Sequence, residues 1–586
     1  MRRLNYLLLV FGVYLLISFV NILFFPEGGV GPTWKVTIPP RRGSILDGKG
    51  RKLSHDVYVY VAYLDVGFFR KHSKNLTALE KTLKNCGVDR KADEILRNYR
   101  FFKLYESESR EEVLKRIESD LLPYVNVSYE TRRKKLTDYG LSPILGSVLD
   151  GRGSGGLEGF FDTQLSNGKK GFARLVYKGS MRLSPVLVDY QRPSDGEDVQ
   201  LSLDLDLQRT TYEILKKSVE SLSAENGHVV VMESKTGRIL SLVTLKDWND
   251  LACGYIEPGS TMKPIVYAIA LETGAVKTNF SLVCQGRIKP VDKLPNIIRD
   301  VEAHGEIDFL SGIVKSCNVM SVEVGRKIVE KIGVEGFYAW LRNFGFGEKT
   351  GVEFAGEIEG VLRKPREWSL LDFATVSIGQ GIGVTPIQLV AALNVFANDG
   401  EYVRPTLLKD QTPSKKRVIS AKTAQIIRDA MVKVVEEGTG RMARLEGFSV
   451  AGKTGTAQKA IGGRYADVYH SIFVGFFPAD NPRYTILVHV DAPKGLYYGG
   501  DVAAPIFAQI AKVLLEREKK QARMIAVPKG LMPDLRRLSL RDALLILEEM
   551  GVKDVETKGK GWLVQDQSPS PFEPIPEGRV VLYLQK

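Results

Sequence analysis

The stretch Glu257-Pro-Gly-Ser-Thr-Met-Lys-Pro264 constrains this chain more than any other. It runs straight into 265–271, which leaves almost no polar face, so the pattern predicts a helix buried on all sides. Pro258 and Gly259 break the chain ahead of it, and Gly274 is a plausible stop just past its end. Ser260 and Lys263 are three apart and share one face of a helix. A serine hydroxyl is a weak nucleophile until a base stands beside it. Lysine is such a base only when neutral, and apolar burial disfavours its charged form. Bringing its pKa near the working pH costs roughly 4 kcal/mol. The apolar helix supplies the reason for that change. The spacing alone is weak evidence, because Ser166–Lys169 repeats it inside Ser-Asn-Gly-Lys, where a turn is the better reading.

Three further elements accompany the pair. In Ser316-Cys-Asn318 a hydroxyl and an amide two apart can both point into a cleft from a loop. The serine can relay a proton; the asparagine can hold a lysine or a substrate amide. Lys453-Thr-Gly-Thr456 reads as a strand on which a cation and hydroxyls bind a carboxylate, with Gly455 letting a substrate backbone approach closely. An oxyanion hole needs backbone N–H groups aimed at the developing charge, and Ser260 and Thr456 are the expected donors. Similar short patterns occur at Ser73-Lys-Asn75 and Lys235-Thr-Gly237, the latter better explained as a hairpin turn. The order Ser-x-x-Lys, Ser-x-Asn, Lys-Thr-Gly-Thr carries the case.

The 586 residues suggest several domains, and a composition 44% hydrophobic and 26% charged is that of globular protein. The net charge of +13 suggests an anionic neighbourhood, but no basic block is dense enough to choose nucleic acid. Cys86, Cys253, Cys284 and Cys317 show no Cys-x-x-Cys, and the six histidines show no ligand spacing, so neither metal nor cofactor is expected. Cys253 and Cys284 can pair in an oxidising compartment or remain free.

Residues 4–25 hold no charge and span about 33 Å as a helix, enough for a hydrocarbon core. Arg2 and Arg3 place 1–3 in the cytoplasm and the rest outside. A cleaved signal peptide is the rival, but the run is too long and no small-x-small site follows. Residues 26–190 look like a mixed α+β platform, with a hairpin at 47–50, helices at 76–85 and 111–122, and a tight-turn segment at 151–156. From about 191 to 520 an α/β sandwich is expected. It starts with a strand at 199–205, a helix at 207–222, and a hairpin of 228–232 with 238–245. Thr385-Pro-Ile-Gln388 opens a helix through Ala397, strands follow at 450–458, 471–477 and 484–491, and 504–515 closes the unit. Residues 516–523 read as a solvated linker. Residues 527–586 form a small unit with a helix at 539–550 and strands at 562–568 and 578–584.

With these motifs the chain resembles the class B, monofunctional penicillin-binding protein transpeptidases. Arg42-Gly-Ser-Ile-Leu-Asp47 with Gly50, Gly156-Leu-Glu-Gly159, Ser377-Ile-Gly-Gln-Gly381 and 498–505 match that class. The tail from Val527 to Leu584 resembles one PASTA domain, as in some division-specific and sporulation-specific members. The resemblance implies a multidomain α/β chain: one N-terminal transmembrane helix, a pedestal, a serine β-lactamase-like transpeptidase sandwich and the small α+β tail.

It also implies a mechanism. Neutral Lys263 takes the proton of Ser260, which attacks the penultimate D-alanine carbonyl of a peptidoglycan stem peptide. Ser316 carries the proton to the leaving amine, and Asn318 positions the donor and Lys263. Lys453, Thr454 and Thr456 hold the terminal carboxylate. A neighbouring stem amine then forms the cross-link, and β-lactams trap Ser260. Cys317 departs from the commoner serine or aspartate at the middle of its triplet. Expected partners are stem peptides, products of lipid-linked precursors, β-lactams, the membrane, a polytopic glycosyltransferase of the shape, elongation, division and sporulation (SEDS) family, and other division proteins. A β-lactamase lacks this platform and tail, a penicillin sensor needs a cytoplasmic signalling part, and a bifunctional enzyme needs an acidic glycosyltransferase motif. A non-catalytic scaffold is the rival of another class.

Overall fold

Period-two alternation sorts the apolar residues of five strands into two cores. The computed structural model describes residues 33–73, 75–176, 186–461, 464–525, 530–536, 538–576 and 578–585. The run 4–25 lies outside these, and among the described residues no helix is long and apolar enough to cross a membrane. The central sheet is antiparallel throughout, in the order Ile239–Thr244, Asn226–Glu233, Tyr484–Asp491, Arg464–Phe477, Ala451–Ile461. Val229, Val231, Phe473, Phe477 and Val488 face one core, packed under the helices Leu205–Ser221 and Gly499–Ile525. Val230, Met232, Ile472, Val474 and Leu487 face the other, larger core.

That second face carries the half that holds Ser260 and Lys263, called the catalytic half from its expected role. Pro386–Ala397 is buried at every position and begins with the expected capping box, Thr385 Oγ1 accepting from Gln388 N and Gln388 Oε1 from Thr385 N. Beside it lie Lys263–Glu272, Ala421–Glu436 and the long helical stretch Asn318–Asn343. The hairpin at the Ser234–Gly237 turn and the strand Tyr484–Asp491 fall where the pattern placed them.

Two expectations change in this half of the chain. The extended run at 199–205 is a strand only over Val199–Gln200, because the Asp204 side chain accepts from Asp206 N and Leu207 N and starts the next helix at Leu205. The 516–523 stretch is no linker, since the closing helix Gly499–Ile525 runs through it. Its charges are used: Arg517 Nη2 lies 2.6 Å from Asp204 Oδ2, and Arg483 Nη1 lies 2.6 Å from Glu518 Oε2.

The platform centres on the strand Lys52–Asp65, paired with Phe101–Ser107 and Val125–Lys135, over a core that includes helix Leu76–Asn85. The 111–122 region is a short helix, Arg110–Lys115, then a 3-10 turn, Ser119–Tyr124. Ile45, Leu53, Leu141 and Leu157 join the same core as the catalytic half. The expected spacer is therefore packed into the enzyme body. A buried ion cluster pins it. Glu158 accepts from Arg42 Nε at 2.7 Å, Arg133 Nε at 2.7 Å and Ser54 Oγ at 2.6 Å, while Arg42 also reaches Asp162 and Arg133 reaches Asp56. The tail packs around its own core of Met532, Leu535, Ile546, Leu547, Val564 and Leu582. Its sheet includes an unexpected strand, Val555–Gly559, parallel to Val580–Gln585.

Removing one member of a buried ion cluster strands the others without a partner. Glu158→Ala is expected to cost about 3–5 kcal/mol, read as a lower midpoint in denaturant unfolding. A midpoint unchanged from wild type would show that the cluster contributes nothing.

Candidate active site

Ser260 sits on a single 3-10 turn, Gly259–Met262, and the α-helix begins at Lys263. The pair is therefore joined by a tight turn that opens the helix, with the Lys263 backbone N–H donating to Ser260 O. Every residue from Lys263 to Ala270 is buried, and Gly274 ends the segment at φ +65°. Ser260 itself is half-buried. The turn is seated on backbone: Gly259 N donates to Gly379 O at 3.0 Å, and Gly381 N donates to Glu257 Oε1 at 2.9 Å. Burial pushes the Glu257 carboxyl up.

Ser316 follows the short helix Phe309–Val314 and adopts φ +58°. Cys317 N closes on Gly312 O at 2.9 Å, so Ser316 occupies a helix C-terminal position where glycine is the usual residue. A serine there costs on the order of 1 kcal/mol or more. The reward is geometric. Lys263 Nζ donates to Ser316 O, to Ser316 Oγ at 3.3 Å and to Asn318 Oδ1 at 2.7 Å. Asn318 is oriented by Arg299 O, which accepts from Nδ2 at 2.9 Å, and by Asp300 Oδ2, which accepts from its N–H at 2.8 Å.

Lys453 completes the chain, its Nζ lying 2.9 Å from Ser316 Oγ and 3.1 Å from Thr454 O. Both ammonium groups are fully buried. Burial lowers the Lys263 pKa to about 8, with Asp300 and Cys317 opposing. Burial and then the charge of Lys263 push Lys453 well below the usual lysine range, with no opposing carboxylate. Lys263 therefore gives up its proton more readily than an exposed lysine.

Alternation on the strand puts Lys453 and Gly455 on one face and Thr454 and Thr456 on the other. Thr454 Oγ1 shares a 2.7 Å hydrogen bond with Thr439 Oγ1, and Thr456 Oγ1 accepts from Gly499 N at 3.1 Å. A Cβ on Gly455 would lie 2.9 Å from both Pro258 O and Thr261 Cγ2. The glycine thus lets the strand lie on the nucleophile turn, a different reason from the expected approach of substrate. The look-alikes are elsewhere and structural: Ser73 and Asn75 cap helices, and Lys235–Gly237 is the hairpin turn. Cys253 and Cys284 are free thiols.

Sequence reasoning missed Asp300, Thr439 and Glu257. Only Glu257 carried a signal, its place beside the motif. It also missed a histidine chain in the sheet, where His228 Nδ1 lies 2.7 Å from His489 Nδ1 and His489 Nε2 lies 3.0 Å from His470 Nδ1. These residues meet only through strand pairing.

A Cβ on Gly379, at φ +77°, would lie 2.0 Å from Gly259 O. Gly379→Ala is expected to shift the turn that carries Ser260 and slow acylation of Ser260 by at least about tenfold with secondary structure retained. Stopped-flow acylation with circular dichroism checks this.

Three sequence families match the chain. The penicillin binding protein transpeptidase domain covers residues 227–512, the penicillin-binding protein dimerisation domain 37–201, and the PASTA domain 530–586. The chain is similar to Stage V sporulation protein D of Bacillus subtilis, 31% identical over 604 residues, covering 94% of this chain and 91% of that protein. It is 35% identical over 383 residues to the probable peptidoglycan D,D-transpeptidase PenA of Neisseria meningitidis, covering 62% of this chain and 64% of that one. Among solved structures it is similar to penicillin binding protein 3 of Mycobacterium tuberculosis complexed with aztreonam. That match has a TM-score of 0.61 and 26% identity, over 83% of this chain and 97% of that one. Platform, paired buried lysines and tail converge with these matches, and the chain belongs to the class B penicillin-binding proteins, with a C-terminal PASTA domain.

Proposed function

We propose that the chain is a serine-type peptidoglycan D,D-transpeptidase acting through an acyl-enzyme on Ser260. The observation that carries this reading is the hydrogen-bonded path from Lys263 through Ser316 to Lys453, laid beside the nucleophile turn. Lys263 accepts the Ser260 proton as Oγ attacks the penultimate D-alanine carbonyl of a stem peptide. The Ser260 and Thr456 N–H groups stabilise the oxyanion. The C–N bond then breaks, Ser316 passes a proton to the departing D-alanine amine, and an ester remains on Ser260. The amine of a neighbouring stem attacks that ester, forming the cross-link and returning the proton to Oγ. Lys453, Thr454 and Thr456 hold the donor carboxylate, Gly455 keeps their strand against the turn, and Asn318 positions Lys263 and the donor. β-Lactams carry the same carboxylate and acylate Ser260.

The two lysines give this chemistry its timing. Lys453 alone sheds its proton readily, because burial and the neighbouring Lys263 charge both disfavour its charged form. A donor carboxylate restores the charge on Lys453. That charge in turn pushes Lys263 towards its neutral form. Ser316 Oγ touches both amines and gives the proton a route between them. The substrate thereby arms its own base.

The proposed organisation is a cytoplasmic tip at 1–3, a membrane anchor at 4–25, a pedestal at 26–190, the catalytic domain outside the cytoplasm at 191–520 and the PASTA domain at 527–586. The uncharged run at 4–25 supports the anchor. A polytopic glycosyltransferase of the SEDS family supplying nascent glycan from lipid-linked precursors, and other septal proteins, fit this arrangement. Septal synthesis is the first reading. Synthesis during sporulation is the second, favoured by the near full-length match to a sporulation protein.

A fluorescent penicillin is expected to label wild type and not Ser260→Ala; unlabelled wild type would favour a scaffold. Lys263 is mostly protonated below about pH 8 and cannot then accept a proton. The second-order acylation rate constant at sub-saturating penicillin, which reports the free protein, is therefore expected to climb as pH rises from about 6 to about 8 and to level off above. A profile flat over that range would remove Lys263 as the base.

A further inference from the structure

Directly behind Ser316 and Asn318 lies a buried cluster that the acyl-transfer chemistry does not use. Cys317 separates those two residues, and its Sγ accepts from Met320 N at the start of the long helix. Cys284 ends the strand Ser281–Cys284 and pairs across to Gly305 on Gly305–Asp308. Asp300 and His304 lie on the segment leading into that second strand. One ligand atom each from Cys284, Asp300 and Cys317 lies within 4.8 Å of the others. His304 Nε2 is 3.9 Å from Asp300 Oδ1. Cys284 and Cys317 are buried, and the Asp300 and His304 side chains are 1% and 4% exposed.

Ordinary packing accounts for part of this. Asp300 Oδ2 accepts from Asn318 N and Val319 N, as a helix cap does, and buried cysteines often act as small apolar residues. Two features are left over. His304 Nε2 is buried without a hydrogen-bond partner. The buried Asp300 carboxylate has, among the described residues, no basic side chain within 4 Å except that histidine. Asp300 also accepts from Val301 N at 3.0 Å and Cys284 Sγ at 3.7 Å, and His304 Nδ1 lies 3.4 Å from Glu302 Oε1, so what is left over is the uncompensated Asp300 charge and the unpaired His304 Nε2. One cation between them would satisfy both.

We propose that Cys284, Asp300, His304 and Cys317 form a tetrahedral zinc site. Two thiolates, one imidazole and one carboxylate suit zinc, and a closed set of four protein ligands is that of a structural ion. Tetrahedral zinc places ligand atoms about 3–4 Å apart, so Cys284, Asp300 and Cys317 must draw together, and His304, beside Asp300 but outside that group of three, must move in to join them. Binding releases the thiol protons. The consequence is positional. The ion would tie the 281–308 lobe to the loop whose Ser316 and Asn318 hold Lys263. The scattered positions from 284 to 317 explain why spacing in the sequence argued against a metal.

The test uses the purified full chain in detergent. Wild type is expected to retain about one zinc per chain and, after exchange with Co²⁺, to show a thiolate-to-cobalt charge-transfer band with tetrahedral visible bands. Cys284→Ser is expected to cut that band to about half or less, Cys317 being the one thiolate left, and His304→Ala to weaken zinc retention at least about a hundredfold. Chelation is expected to lower Tm, with recovery on adding Zn²⁺ alone. Fluorescent-penicillin labelling of Ser260 is measured separately, so this proposal can fail while the transpeptidase reading stands. No stoichiometric metal, no cobalt–thiolate band, metal retention unchanged in both variants, or the two thiols found oxidised to one another would each overturn it.

Discussion

Two lysine amines, fully buried, meet at one serine hydroxyl, and much of the catalytic half exists to make that tolerable. Taking an ion out of water costs several kcal/mol even after relaxation. No carboxylate sits against either Nζ among the described residues; Lys263 is held by a carbonyl, a hydroxyl and an amide oxygen, and Lys453 by hydroxyls and a carbonyl. Such partners satisfy donors without fixing a charge. Burial lowers the pKa of both amines, that of Lys263 to about 8. In the proposed mechanism a permanent salt bridge at Lys263 would hold its proton and remove the base.

Local backbone strain serves the same end. Ser316 at φ +58°, Gly259 at φ +54° and Gly379 at φ +77° lie within one small region. The glycines let two turns touch backbone to backbone. The serine accepts the cost because only that conformation aims both its carbonyl and its hydroxyl at Lys263. Of the three only Ser316 is strained, since glycine adopts positive φ freely, and Ser316 lies on the proposed proton path.

Part of the platform, including Ile45, Leu53, Leu141 and Leu157, shares a hydrophobic core with the catalytic half, joined further by the Asp47–Arg51 turn, whose carboxylate accepts from Leu205 N at the start of the next helix. The tail has a separate core and its own short sheet. A change in the tail can therefore be carried without repacking the groove, whereas a change in the platform reaches the enzyme body directly.

The order of motifs, the buried helix after Ser260, the capping box at Thr385, the hairpin at Gly237 and the strand Tyr484–Asp491 were all legible in the letters. Each rests on neighbours a few residues apart, through helical or strand period, a cap or a turn. The continuation of the closing helix past Leu515 was hidden, because charged residues there read as solvent-facing until Arg517 finds Asp204. Asp300, Thr439, His304 and the reason for Gly455 were hidden more deeply. Their partners lie on other elements, and no local pattern encodes which side chain will face them. The sequence by itself determined which groups enter the groove. Only tertiary packing decided which of them touch, and so which amines are buried enough to give up a proton.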